Sequence, residues 1–246
     1  MTDIVYYVLS ALAVLVTLTV HEYAHGYAAY KLGDPTARNL GRLSLNPMRH
    51  LDPIGALCMI LFHFGWAKPV PINPRNFKNP KRDFAITALA GPLSNIILAF
   101  FSSFLCLLLY ATLKDVQFES EFSFQVASNG LSFLYLFHII NIGLGLFNLI
   151  PVPPLDGSRL LTVLLPERLY FKIMRYERKI YLGLIIWLLL GDFVTRTLLH
   201  LPLISQNPIL TAIAKLFSLS DLLSSLFRFV SDAIMNFWQL IPFLNV

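Results

Sequence analysis

Apolar residues run along this chain rather than alternate. Five apolar stretches stand out, at about 4–30, 52–65, 84–113, 124–150 and 180–204, with short polar segments between them. Crossing the hydrocarbon layer of a bilayer takes about 20 residues of helix. The first, third, fourth and fifth stretches are long enough. The second is too short and reads as re-entrant or interfacial. It leads into WAKPVPIN, at 66–73, whose alternation and prolines suit an edge strand better than a helix. The tail, roughly 207–246, is apolar but carries Lys215, Asp221, Arg228 and Asp232. One or two further spans fit it, and so do amphipathic helices lying in the interface. The expected fold is an all-α polytopic membrane protein: a helical bundle with a re-entrant or short β segment between its first two core spans. A core at 1–204 and a membrane-associated tail at 205–246 are the expected divisions.

Composition agrees. The chain has 246 residues, 56% hydrophobic and 13% charged, whereas soluble domains carry roughly 25% charged residues. A lipid bilayer is the implied surrounding, and no nucleic-acid surface is expected. The first apolar run lacks a basic start and a small-residue cleavage site, so it reads as a retained span. Cys58 and Cys106 lie in apolar runs without metal or disulfide spacing and read as small buried hydrophobes.

The cations orient the bundle. Nine of the nineteen Lys and Arg residues fall in 31–83 and six in 159–179, whereas 114–123 sets Lys114 against Asp115, Glu119 and Glu121. By the positive-inside rule, 31–83 and 159–179 face the cytoplasm. The expectation is a multi-pass protein of the cell membrane with its functional residues toward the cytoplasmic side.

Those residues begin where the first span breaks its own rule. LTVHEYAHGYAAYKLG, at 18–33, puts His21, Glu22 and His25 into an apolar helix that is uncharged from Ile4 to Val20. Ionisable groups at hydrocarbon depth cost several kcal/mol, about 2.5–3.5 each on insertion scales, and mark function. Histidines at i and i+4 share one helix face and can bind one zinc ion. The glutamate between them can act as general base and return the proton to the leaving amine. With six histidines and five glutamates in the chain, chance yields about 0.003 matches to HExxH. Coincidence is a poor explanation.

A catalytic zinc takes a third protein ligand and keeps an open position. NLIPVPPLDGSRLL, at 148–161, offers Asp156, which is the one carboxylate between Glu121 and Glu167. Pro151, Pro153 and Pro154 cannot continue a helix, and unwinding there would let Asp156 turn back toward the first span; an ordinary Asp-Gly turn after prolines is the alternative. Irregular backbone is tolerated at that depth only inside protein or along a watery cavity. Asn148 is placed either to donate to a developing oxyanion or to cap a helix end. His138 is read as a hydrogen-bonded core histidine, with a third-ligand role as the alternative. Gly143 and Gly145 read as sites of close helix packing.

Together, His21-Glu22-Tyr23-Ala24-His25, Asn148 through Asp156-Gly157, and Gly91-Pro92-Leu93-Ser94-Asn95 resemble the motifs of the site-two proteases. These are zinc metalloproteases that cut within membranes. The text around them resembles a compact prokaryotic branch without a PDZ domain, over roughly residues 1–200. The resemblance implies one zinc ion per chain on His21, His25 and Asp156, Glu22 as base, and Asn148 as a substrate or oxyanion contact. It also implies single-span membrane proteins as substrates and places Asn95 near them. A substrate helix must unwind to be cut, and the backbone at Val70 and Ile72 is expected to pair with it as an added strand. Two rival readings remain at this point. One is a membrane metalloprotease with a glutamate as third ligand. The other is a non-catalytic metal-binding transporter or helix-holding chaperone.

Overall fold

The computed structural model describes residues 3–53, 55, 67–201, 206–211 and 219–244. Among them, three helices are long and apolar enough to cross a membrane: α1 (Asp3–Lys31, of which Ile4–Lys31 is the spanning part), α3 (Pro80–Leu113) and α4 (Glu121–Asn148). A short α2 (Thr36–Asn39) follows the first. After α4 come α5 (Gly157–Leu164), α6 (Glu167–Arg175), α7 (Glu177–Leu199) and α8 (Leu219–Gln239). α7 occupies the place of the fourth expected span, apart from that span's last residues, but is not one of the three helices long and apolar enough to cross.

The polarity differs from that of a water-soluble bundle: the outer face is apolar and the interior mixes small apolar with polar side chains. Ile4, Val8, Leu93, Phe101 and Leu105 face outward, while Thr17, Thr87, Asn95, Ser103, His138 and Asn141 are buried between the helices. Outside the bundle the solvent is hydrocarbon, so polar side chains gain by turning inward to one another. Asn141 Nδ2 donates to Thr17 Oγ1 at 2.9 Å and so joins α4 to α1. α4 approaches α3 closely at Gly145, where a Cβ would meet Pro92 O at 3.2 Å and Ile96 Cδ1 at 3.1 Å. Gly145 is therefore a packing glycine as expected. Gly143 is not, since nothing lies within 4 Å of a Cβ built there.

α8 resolves part of the tail. It is amphipathic and lays its apolar face on α3 and α4, with Ile234 in one core cluster with Ala99, Ile142 and Leu146. Trp238 Nε1 donates to Phe100 O and to Ser103 Oγ, each at 3.1 Å. His138 bridges the same interface, Nδ1 to Ala99 O at 2.9 Å and Nε2 to Ser231 Oγ at 3.1 Å. It is a core histidine and stands apart from the metal-binding group.

The apolar stretch 52–65 lies almost wholly outside the described residues. The short β segment is not formed among them: residues 67–73 contain no strand, only an isolated antiparallel bridge from Leu51 to Ala67. The reason is a shortage of donors. Pro69 and Pro71 have no N–H, and the N–H groups of Val70 and Asn73 go to carboxylates, Glu22 and Asp34. A ladder has too little left to pair.

The candidate metal centre

α1 delivers two histidines to one point. His21 and His25 stack edge to face, with ring centroids 4.6 Å apart, and their Nε2 atoms are 3.0 Å from each other. α4 ends at Asn148, and the chain then winds through Pro151, Pro153 and Pro154 before α5 begins at Gly157. Asp156 occupies the N-cap position of α5. An aspartate there ordinarily accepts from its own helix N–H groups. Here it makes no such bond. Its Oδ2 instead lies 3.0 Å from His21 Nε2 and 3.1 Å from His25 Nε2. The third ligand expected from the sequence is thus brought to the other two, across about 130 residues.

These three residues form the one group among the described residues whose His, Cys, Asp or Glu ligand atoms lie close enough to hold a metal. Zinc held tetrahedrally at about 2.0–2.1 Å separates its ligand atoms by roughly 3.3 Å, within a few tenths of an ångström of the distances here. Outer-shell bonds support the same reading. His25 Nδ1 meets Thr87 O at 2.7 Å, so Nδ1 carries the proton and Nε2 is the free ligand. Asn95 Nδ2 lies 3.1 Å from His21 Nδ1, while Asn95 Oδ1 is buried without a partner. A half-turn of that amide brings Oδ1 onto an Nδ1–H and frees His21 Nε2 in the same way. Both imidazoles are about 6% exposed at the side chain, whereas Asp156 is 24% exposed. The site is walled by the histidines and open beside the aspartate.

Two glycines make this packing feasible. A Cβ on Gly91 would fall on the His21 and His25 rings, so α3 can lie against them only with hydrogen at that position. A Cβ on Gly157 would overlap Leu149 O and lie 2.5 Å from Leu149 C and 2.6 Å from Ile150 O. Those are backbone atoms and cannot swing aside. Gly157→Ala is therefore expected to open the 149–156 loop and carry Asp156 off the histidines. Zinc titration of the purified variant should show affinity weakened roughly 10–100-fold, with cleavage falling in step.

The other expected site residues are distributed differently. Glu22 Oε2 accepts from Val70 N at 2.8 Å, so the N–H assigned to substrate holds the glutamate instead. Asn148 Nδ2 donates to Leu144 O at 3.1 Å, a helix-end bond within α4. Asn95 is fully buried behind His21, with its Nδ2 3.1 Å from His21 Nδ1. Thr87 also belongs to this shell, with its carbonyl on His25 Nδ1. It acts through its carbonyl, which every residue type has, and no sequence signal marks it. His50 Nε2 bonds to Ser44 O at 2.7 Å. The segments 80–84 and 159–167 touch: Lys81 Nζ pairs with Glu167 Oε1 at 2.8 Å, and Arg159 lies over the Phe84 ring.

The model of peptidase family M50 matches residues 9–190. YwhC of Bacillus subtilis, provisionally named a zinc metalloprotease, is 41% identical over 201 residues, covering 79% of this chain and 86% of its own length. Rip2 of Mycolicibacterium smegmatis, with a similarly provisional name, is 28% identical over 58% of this chain and 52% of itself. The zinc metalloprotease MJ0392 of Methanocaldococcus jannaschii is 26% identical over 68% of this chain. The chain spans 38% of that archaeal protein and about half of Rip2. No solved structure matches. With two histidines and an aspartate converging inside a bundle of apolar helices, and with these relatives, the chain belongs to peptidase family M50, the site-two proteases, as a membrane zinc metallopeptidase.

Proposed function

We propose that this protein is an intramembrane endopeptidase that hydrolyses peptide bonds within or near the spans of single-span membrane proteins, as in regulated intramembrane proteolysis. The observation that carries the reading is the convergence of His21, His25 and Asp156 on one point between α1, α3 and the broken end of α4. Three donors around one point support one zinc ion per chain. A catalytic ion needs an open side, and the exposed edge of Asp156 supplies it. The positive-inside rule puts this end of the bundle at the cytoplasmic face of the cell membrane. The candidate zinc residues all fall in the expected core at 1–204, and within the tail α8 packs on α3 and α4.

Bound zinc supplies Lewis acidity to the scissile carbonyl and to the attacking water. The chain supplies the rest. Glu22 takes the proton of the water as it attacks and passes it to the leaving nitrogen. Asn148 uses one of its two N–H groups on its own helix and offers the other to the developing oxyanion. Thr87 and Asn95 hold the imidazoles in their liganding tautomers. The N–H of Ile72 has no partner among the described residues and pairs with the unwound substrate. Val70 can join it only by releasing Glu22.

The test is product mapping. The protein is placed in lipid nanodiscs with a panel of single-span substrates, and cleavage sites are read by mass spectrometry. Cuts within or beside the apolar span, abolished by chelator and restored by zinc, are expected. Cuts confined to soluble loops far from the span would overturn the intramembrane reading and leave only a membrane-bound metallopeptidase.

A further inference from the structure

The 68–73 segment is short of hydrogen-bond donors, yet most of those it has are committed. Lys68 N donates to His50 O at 2.8 Å, Val70 N to Glu22 Oε2 at 2.8 Å and Asn73 N to Asp34 Oδ2 at 2.7 Å. Two side chains hold its backbone from either side of Val70. On the earlier side, Arg42 Nη2 donates to Lys68 O at 2.7 Å and to Pro69 O at 3.3 Å. On the later side sits Asp34, which is fully buried just past the end of α1. Gly33, at φ +109°, ends that helix and turns Asp34 toward the 73–76 turn. Asp34 accepts from Asn73 N, from Asn76 Nδ2 at 2.7 Å, and from the backbone and hydroxyl of Thr36. Burial alone would raise its pKa, but these bonds outweigh that and hold it below the ordinary aspartate value. Between the two holds, Val70 is buried against Gly26, whose missing Cβ would lie 3.2 Å from Val70 Cγ1.

We propose that Asp34 and Arg42 are positioning residues for the general base: by stapling the backbone of 68–73 on both sides of Val70, they keep the Val70 N–H on the Glu22 carboxylate. A glutamate side chain has three rotatable bonds. One fixed N–H contact to Oε2 selects a single orientation and leaves Oε1 as the oxygen that takes the proton. Neither Asp34 nor Arg42 touches the zinc residues. Their effect reaches the chemistry through one backbone amide.

The proposal rests on Glu22 being the base, so the experiment includes Glu22→Gln. Wild type, Glu22→Gln, Asp34→Asn, Arg42→Gln and Arg42→Lys are purified in nanodiscs. Each is measured for bound zinc, for kcat and KM on one single-span substrate, and for amide hydrogen exchange over 67–73. Asp34→Asn and Arg42→Gln should keep their zinc, hold KM within about twofold and lose roughly 10–100-fold in kcat, with faster exchange over 67–73. Arg42→Lys, which can still reach one carbonyl, should recover part of the loss. Loss that tracks missing zinc, loss confined to KM, or a change in kcat without a change in exchange would each overturn the proposal. So would unchanged kcat despite faster exchange. If Asp34→Asn does not yield folded protein, Arg42→Gln decides by the same criteria. Full cleavage by Glu22→Gln removes the base reading and the proposal with it. An inert Glu22→Gln beside fully active Asp34→Asn and Arg42→Gln removes the proposal alone.

Discussion

Glu22→Gln should bind zinc as the wild type does and lose cleavage by roughly 10²–10⁴-fold, the range a general base contributes. The expectation follows from what the substitution preserves. Glutamine has nearly the same shape and keeps a side-chain oxygen, so the Val70 N–H retains an acceptor and the 68–73 segment has no reason to move. None of His21, His25 and Asp156 depends on Glu22 for its orientation; their partners are Asn95, Thr87 and one another. What is lost is basicity, because an amide oxygen cannot accept the proton of an attacking water at neutral pH. The loss should therefore fall on kcat with metal content unchanged. Single-turnover cleavage beside metal analysis reads both quantities. Retained cleavage at wild-type rates would remove Glu22 from its role, whatever the fate of the zinc.

The candidate ligand set was legible in the sequence because ligation demands particular side chains. Only a few residue types bind zinc, and the spacing of His21 and His25 fixes them on one helix face. Asp156 stood out as a carboxylate after a long uncharged run, behind prolines that forced the chain to turn. The spanning helices were legible for a similar reason, since hydrocarbon imposes length and composition together. Contacts made through the backbone were not legible. Val70 serves Glu22 through its N–H and Thr87 serves His25 through its carbonyl, groups that carry no side-chain signature. The expected edge strand failed for a related reason: alternation predicts which side chains share a face, but carboxylates at 22 and 34 compete for the same donors. The motif marks Asn95 as a site residue, but spacing alone does not tell that its side chain lies against His21 Nδ1. The packing of α8 on α3 and α4 could not be read either. Amphipathicity says that a face is buried and leaves open what buries it, and a bilayer surface would have served equally well.

Gly91→Ala should cost the site its metal. α3 crosses α1 where the two imidazoles project, and Gly91 is the residue facing them. A methyl group there would lie 2.7 Å from His21 Cε1 and 2.5 Å from His25 Cε1, with Nε2 of His25 nearer still. The rings cannot yield cheaply, because His25 Nδ1 is bonded to Thr87 O and His21 Nδ1 to Asn95, both one turn of α3 away from Gly91. Swinging either ring breaks its outer-shell bond and turns its Nε2 away from Asp156. Moving α3 outward instead separates the helix pair that carries the whole wall of the site. Overpacking of this kind costs about 1–3 kcal/mol in stability, but the larger effect is on ligand geometry. Zinc affinity should fall by at least 10–100-fold, with cleavage lost at the metal concentrations that saturate the wild type. Gly145→Ala is the matched control. It also adds a methyl at the α3–α4 contact, but its close neighbours are Ile96 Cδ1, the end of a flexible side chain, and Pro92 O, both beyond 3.0 Å. It should lower the unfolding temperature slightly and leave zinc affinity alone. If Gly91→Ala binds zinc as tightly as Gly145→Ala does, the two helices are not held as close at the imidazoles as the structure places them.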